Sequence, residues 1–402
     1  MNKKFLVRLI AVLLIILGGG VAVYAVFRSS EKVDQNIVFS DRTMLEGLWN
    51  NYKEVYWETG SGRTLDKQQN DITTSEGQSY TMLRAVWQSD KPTFDKTWQW
   101  TKEHLQREDK IFSWKWGQKP DGSYGILTEQ GGENAASDAD SDIALALLMA
   151  ATRWQQQSYL TEARAIIPAI WEEEVITVAG KPYLASNNLE KAAKEDAIIN
   201  VSYFSPYAYR LFAKVDTRHD WNALVDSSYE LINRAIDEPL NVAESAGLPP
   251  DWIVLNKTSG AISAPTGTET LTTNYGYDAM RVSWRLALDD AWNKDPRAKT
   301  TLDKMRFLRD TWQENGTLYS VYTHDGTVVK EDEVAEAYAA ALSNFTVTDP
   351  TAATELYDTK LKRLYDQNAN AWSGEMTYYG DNWVWFAIAL HDDHLENLAA
   401  DI

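Results

Sequence analysis

Residues Ala144 to Ala151 read Ala-Leu-Ala-Leu-Leu-Met-Ala-Ala, a run with no polar face at any helical spacing. Around it, Ile143, Leu147, Ala151 and Trp154 recur at intervals of three and four, which marks a helix. A helix apolar all round must have neighbours on every side. Trp383 to Leu390, Trp-Val-Trp-Phe-Ala-Ile-Ala-Leu, has the same character. Met44, Leu45, Leu48, Trp49, Tyr52, Val55 and Tyr56 instead make a single stripe, suited to a helix covered on one face.

Carried outward from these segments, the same spacing predicts twelve helices, near 39–58, 75–89, 93–107, 138–157, 161–175, 201–214, 218–237, 274–289, 297–313, 332–345, 350–367 and 381–396. No stretch of similar length alternates as a strand does. Loops after odd-numbered helices run about 16, 30, 25, 36, 18 and 13 residues, and those after even-numbered helices about 3, 3, 3, 7 and 4, whereas long loops are usually reserved for function. That alternation brings every long loop to one end of the molecule. The expectation is an all-α domain over 39–402: six helical hairpins closed into a barrel, even helices inside, with a cleft at the long-loop end. An open solenoid would need a repeating sequence period, and none is present.

The first 28 residues differ. Lys3, Lys4 and Arg8 precede an apolar stretch from Leu9 to Phe27, closed by Arg28. Its length approaches the roughly 20 residues that cross a bilayer as a helix and exceeds the ~7–15 of a secretory signal. The expectation is a membrane segment over 1–28, spanning through 9–27, then a short linker over 29–38. The basic residues before the span orient the rest of the chain outward. The domain then sits anchored on the extracellular face of a bacterial membrane, or is secreted if cut near Ala25, where Val23-Tyr24-Ala25 offers a cleavage site.

The chain has 402 residues, 44% hydrophobic and 24% charged, with a net charge of −19. Without the four basic residues of the first 28, the remainder carries −23. Nucleic acid is excluded as a partner, since a phosphate backbone calls for a basic face. Cysteine is absent, which removes disulfides, thiolate catalysis and cysteine-ligated metals. The 17 Trp and 20 Tyr supply flat rings with a polar handle, fit to line a wet groove as well as a core.

Acids collect at the long-loop end. Glu76 starts the second helix, Asp138, Asp140 and Asp142 open the fourth, Tyr203 lies at the start of the sixth, and Asp278 in the first turn of the eighth. Any one of them could be a cap or a dipole partner. A rim of acids facing one another from inner helices is harder to ascribe to capping. Two carboxyls across a cleft suit glycosidic-bond hydrolysis, one donating a proton and the other activating water or attacking. Trp114, Trp116 and Tyr124, in the loop before Asp138, are placed to stack on sugar faces.

Metal and nucleotide chemistries fit less well. Asp138-x-Asp140-x-Asp142 imitates a calcium loop, but Ile143 and Met149 stand where Gly and Glu are required. His391 and His394 lie in a polar tail, and no HExxH, GxSxG or GxxxxGK[ST] occurs. The reading calls for no metal and no cofactor.

Three blocks, SEGQSYTML at 75–83, ASDADSDIALALLMAATRW at 136–154 and YDAMRVSWR at 277–285, resemble glycoside hydrolase family 8, in that family's order and across about residues 35–395. The resemblance implies an (α/α)6 barrel and a reaction that inverts the anomeric centre. By the same resemblance Glu76 is the general acid, Asp278 the general base and Asp138 an auxiliary acid. Asp138 and Asp140 would grip the sugar in the subsite where its ring distorts, and Tyr203 would orient it. Arg281 would orient sugar and base and hold Asp278 ionised. Trp114 and Trp116, together with Tyr80 and Tyr277 from the matching blocks, complete the substrate-binding candidates. Val282-Ser283 departs from the family, many members having Pro before the Trp.

The expected function is extracellular, inverting endo-hydrolysis of a β-1,4-linked polysaccharide, cellulose-type glucan first, by a monomer. An exopolysaccharide hydrolase of the biofilm, acting on an amino-sugar polymer, and a glycan-binding barrel without turnover are the alternatives. An isoprenoid-cyclase barrel is disfavoured because Asp140 is followed by Ser141 rather than a second Asp.

Overall fold

A computed structural model describes residues 41–267 and 270–402. The expected membrane segment and linker, 1–38, lie outside the described residues. Among the described residues no helix is long and apolar enough to cross a membrane. Glu46 to Ile402 form one compact unit.

Fourteen helices are described: α1 (Asp41–Tyr56), α2 (Ser75–Trp87), α3 (Lys91–His104), α4 (Ser137–Arg153), α5 (Gln157–Glu174), α6 (Asn188–Ala192), α7 (Pro206–Val215), α8 (Trp221–Asp237), α9 (Arg281–Asn293), α10 (Pro296–Lys304), α11 (Arg306–Asn315), α12 (Ala335–Thr348), α13 (Pro350–Leu356) and α14 (Tyr378–His391). Helices α2, α4, α7, α9, α12 and α14 touch in that order, and α14 returns to α2, so the inner six close a ring. Each inner helix from α2 to α12 turns back into an outer partner, namely α3, α5, α8, α10 and α13. This is the arrangement of an (α/α)6 barrel.

The sequence explains both layers. Every residue of α4 from Ser137 to Ala150 is buried, as are Ala337–Phe345 of α12 and Gly380–Leu390 of α14. Alanine-rich faces let these backbones approach closely. The inner-to-outer links are confined to 88–90, 154–156, 216–220, 294–295 and 349. In four of them an aspartate ends the link as an N-cap: Asp90, Asp220, Asp295 and Asp349 accept from the backbone of Thr93, Ala223, Arg297 and Ala352. Pro296 and Pro350 follow at the first helical position, where a missing N–H costs nothing.

Closure of the ring rests on Arg84 of α2, which donates to Asp381 (2.8 Å) and Asn382 (3.1 Å) of α14. The same guanidinium lies against the rings of Tyr52 and Trp385, 4.3 and 4.9 Å from their centroids. At the short-link end, residues 395–402 run beneath the barrel. Their carbonyls accept from Trp87 of α2, Trp292 of α9 and Lys214 of α7.

Several expectations are corrected. The domain is not purely helical, because each long connection carries short strands. These are β1 (73–74), β2 (115–118), β3 (124–126), β4 (175–178), β5 (181–184), β6 (196–199), β7 (253–256), β8 (262–263), β9 (321–322), β10 (328–330), β11 (365–366) and β12 (371–372), in five small antiparallel sheets. None exceeds four residues, too short for alternation to register. The 201–214 helix begins at Pro206, which disfavours helical geometry in the residue before it, and leaves Val201–Tyr203 as a separate 3-10 turn. The 297–313 segment breaks at Met305, and 350–367 stops at Leu356 before a wider π turn. The 274–289 helix starts only at Arg281. Tyr275 pairs with Tyr322, and the N–H groups of Gly276 and Ala279 are taken by the Asp251 carboxylate, so these three donors are satisfied outside a helix.

Candidate active site

All five sheets lie in connections running from an outer helix to the next inner one. The N-termini of the inner helices therefore face the same loop-rich end. Glu76 and Asp138 are the second residues of α2 and α4, Arg281 the first of α9, and Tyr379 the second of α14. Helix N-termini carry partial positive charge, which favours carboxylates there.

One guanidinium gathers the acids. Arg281 Nη1 donates to Glu76 Oε1 and to Asp138 Oδ2, both at 2.9 Å, and Nη2 donates to Asp278 Oδ1. Arg281 is itself 2% exposed and lies 5.0 Å from the Tyr203 ring centroid. Exposure grades outward across the cluster: the Asp138 side chain is 0% exposed, Glu76 20% and Asp278 32%. Glu76 and Asp278 thus open to solvent above a sealed Asp138. The second oxygen of Asp278 accepts the Trp252 indole N–H at 3.1 Å.

Below this cluster, Arg285 makes a two-pronged pair with Asp142, both bonds 3.0 Å, and donates to the Tyr207 hydroxyl at 2.7 Å. Burial and then the Glu76 carboxyl push Asp138 up to about 7, against the pull of Arg281 and Arg285. Burial also raises Asp278, opposed first by Arg281. Beside Glu76 opens a cavity of ≈ 540 Å³ walled by Trp114, Asn134, Tyr203, Trp252 and Leu271. The Trp114 indole is fixed by donation to the Gly131 carbonyl (2.9 Å), and its own carbonyl accepts from Ser75 N at the start of α2.

The structure brings Glu76, Asp138, Asp278, Arg281, Tyr203 and Trp114 together and sets other expected residues apart. Asp140 is sealed away from the cleft: its Oδ1 accepts from Phe112 N (3.2 Å), and it faces Glu174. Residues two apart on a helix lie on nearly opposite sides, so Asp140 could not share Asp138's direction. Tyr80 is buried one turn below Glu76 and reaches its Oε1 at 3.4 Å, a support for the acid rather than a surface for sugar. Arg281 likewise lies beneath the acids, where it touches carboxylates. Trp116 is missing from the cavity wall. It stacks on Tyr124 (5.3 Å), meets Trp100 edge-on and carries the Arg63 guanidinium, so packing accounts for it. Tyr277 is 37% exposed next to Asp278, and its carbonyl accepts from the Tyr379 hydroxyl. Asp278 belongs to the turn before α9, not to its first helical turn.

Trp252, Asp251, Tyr379 and Glu174 were not singled out from sequence. For the first two a signal existed: Pro249-Pro250-Asp251-Trp252 places an acid and an aromatic ring inside the longest connection.

Residues 22–392 match the family model described as Glycosyl hydrolases family 8. The chain is 27% identical to Endoglucanase C of Ruminiclostridium cellulolyticum, over 89% of this chain and 71% of that protein. It is 30% identical to an endoglucanase of Escherichia coli, over 67% and 68%. Among solved structures, an endo-1,4-D-glucanase from Vibrio fischeri superimposes with a TM-score of 0.71 at 25% identity, over 86% of this chain and 95% of that one.

Proposed function

Since this chain belongs to glycosyl hydrolases family 8 and is a glycosidase, we propose that it cleaves a β-1,4-linked glucan at internal bonds by single displacement with water. Glu76 is the general acid and Asp278 the general base. One observation carries this reading: a single buried guanidinium bridges Glu76, Asp138 and Asp278 beside a cavity walled by Trp114, Tyr203 and Trp252.

The geometry divides the labour. Glu76 and Asp278 are bonded to different nitrogens of Arg281, so the width of that fork plus two hydrogen bonds is the upper limit of the gap between their bonded oxygens. This is the scale of the ~6.5–9.5 Å gap in which an inverting pair seats its water. Arg281 and the Trp252 N–H act against the burial that raises Asp278 and favour its charged, proton-accepting form. Asp138, pushed up to about 7 by burial and the neighbouring Glu76 carboxyl, keeps a proton of its own near neutrality directly beneath the general acid. Trp114 offers a ring face to a sugar in the cavity. The names of the endoglucanase relatives support glucan as the polymer. The apolar run 9–27, flanked by basic residues, supports a tethered, extracellular place of work.

The test is release of reducing ends by the purified full chain from carboxymethylcellulose, mixed-linkage glucan, xylan, chitosan and an N-acetylated amino-sugar polymer. Turnover on the glucans is expected, with the product's first-formed anomer opposite to the bond cleaved. Glu76→Gln should lose at least about 100-fold. Retention of configuration would overturn the mechanism, turnover only on an amino-sugar polymer would reassign the substrate, and binding without turnover would make this a glycan-binding barrel.

A further inference from the structure

Asp278 precedes α9, so helical geometry does not fix its direction. What fixes it comes from the connection between α8 and α9. The Asp251 Oδ1 atom accepts the backbone N–H groups of Gly276 (3.1 Å) and Ala279 (2.8 Å), one on each side of Asp278. Asp251 N in turn donates to the Asn274 carbonyl at 2.7 Å. Gly276 makes room for this: a Cβ there would come within 2.6 Å of Asp251 Oδ2. The next residue, Trp252, holds the base itself through its indole N–H and anchors its own backbone to Thr272 O at 3.0 Å.

We propose that Asp251 is the positioning residue for the base: its carboxylate clamps the 276–279 turn so that Asp278 meets Arg281 on one oxygen and Trp252 on the other, and presents its remaining exposed edge to the attacking water. Hydrogen bonds from N–H groups to a carboxylate are among the stronger ones available, and two on one oxygen fix both position and tilt of the turn. The long connection therefore sets the orientation of the base, in addition to walling the cavity. The inference rests on the assignment of Asp278 as the base.

The experiment compares the full chain with Asp251→Ala and Asp251→Asn, each alone and in an Asp278→Ala background. Asparagine keeps an Oδ1 able to accept the same two N–H groups. Asp251→Ala should lower kcat about 100-fold, the cost of roughly 1 Å of misplacement, with KM little changed, while Asp251→Asn recovers most of kcat. In the Asp278→Ala background, Asp251→Ala should cost nothing further, since it acts through a group already removed. Equal losses in both backgrounds, or a loss carried by KM, would overturn the proposal. Amide exchange at Gly276 and Ala279 should quicken in Asp251→Ala, and unchanged exchange would refute the clamp whether or not the enzyme turns over. A wild-type chain silent on every polymer would refute the functional reading alone.

Discussion

Arg281 and Asp138 meet at 2.9 Å between two side chains with almost no exposed surface. A buried pair gives little net stability, but breaking one by removing a partner leaves an uncompensated charge. Here the arginine serves three carboxylates at once, which a point charge on a flexible stem cannot do. Arg281→Lys should therefore fold yet lose at least about 100-fold in kcat. Steady-state kinetics beside a melting curve checks this; near-wild-type kcat would show that charge alone suffices.

Asp138 gives a pH-dependent signature. Its folded-state affinity for a proton is raised from the ordinary 3.8 to about 7. Between those values the folded chain binds more protons than the unfolded one, so this group's contribution is full below about 4 and is lost as pH rises through about 7. Asp138→Asn removes that loss. The Tm difference, variant minus wild type, should move in the variant's favour from pH 5 to pH 8. A pH-independent difference would contradict the assignment.

Asp140 and Glu174 form a second carboxyl pair behind the site. Both are fully buried, burial is the leading cause raising both, and Asp140 Oδ2 and both Glu174 oxygens meet no hydrogen-bond donor. Two such groups are tolerable only with a proton between them. Glu174→Gln supplies an N–H to Asp140, and it should raise Tm at pH 8 while leaving kcat within about threefold. Collapse of activity would show that the pair takes part in turnover.

Trp114 lines the cavity that opens beside Glu76. Trp114→Ala should raise KM about tenfold, equivalent to about 1.4 kcal/mol, with a smaller effect on kcat. A loss confined to kcat would place the ring at the reacting sugar instead.

Of the inner ring, α4 and α14 were the most legible, because the runs 143–151 and 383–390 are apolar on every face. Leu147 is fully buried, and Leu147→Ala should cost about 2–5 kcal/mol, read from denaturant unfolding.

Glu76 and Asp138 were readable because each sits one residue into an inner helix whose start is marked in sequence. The roles of Asp140 and Trp116 were not. Asp140 shares a motif with Asp138, but helical rotation turns it to the other side. Trp116 lies two residues from Trp114, yet its surroundings are rings of α3 and the β2–β3 hairpin. The start of α9 was hidden because the donors of 276 and 279 are satisfied by Asp251, about 25 residues upstream, beyond the reach of local spacing.

The pairing of Arg84 with Asp381 spans 297 residues, and this sets a timetable for the chain as it is synthesised. Helix α2 emerges with a cation destined for the interior, and its partner is made only some 297 residues later. Until α14 arrives the ring has an open seam, with Arg84 and the aromatic rings around it unsealed. A product halted before residue 378 would leave α2 and α12 flanking a gap, in the class of intermediates that aggregate or call on chaperones. Quality control of this barrel is therefore concentrated at its last helix.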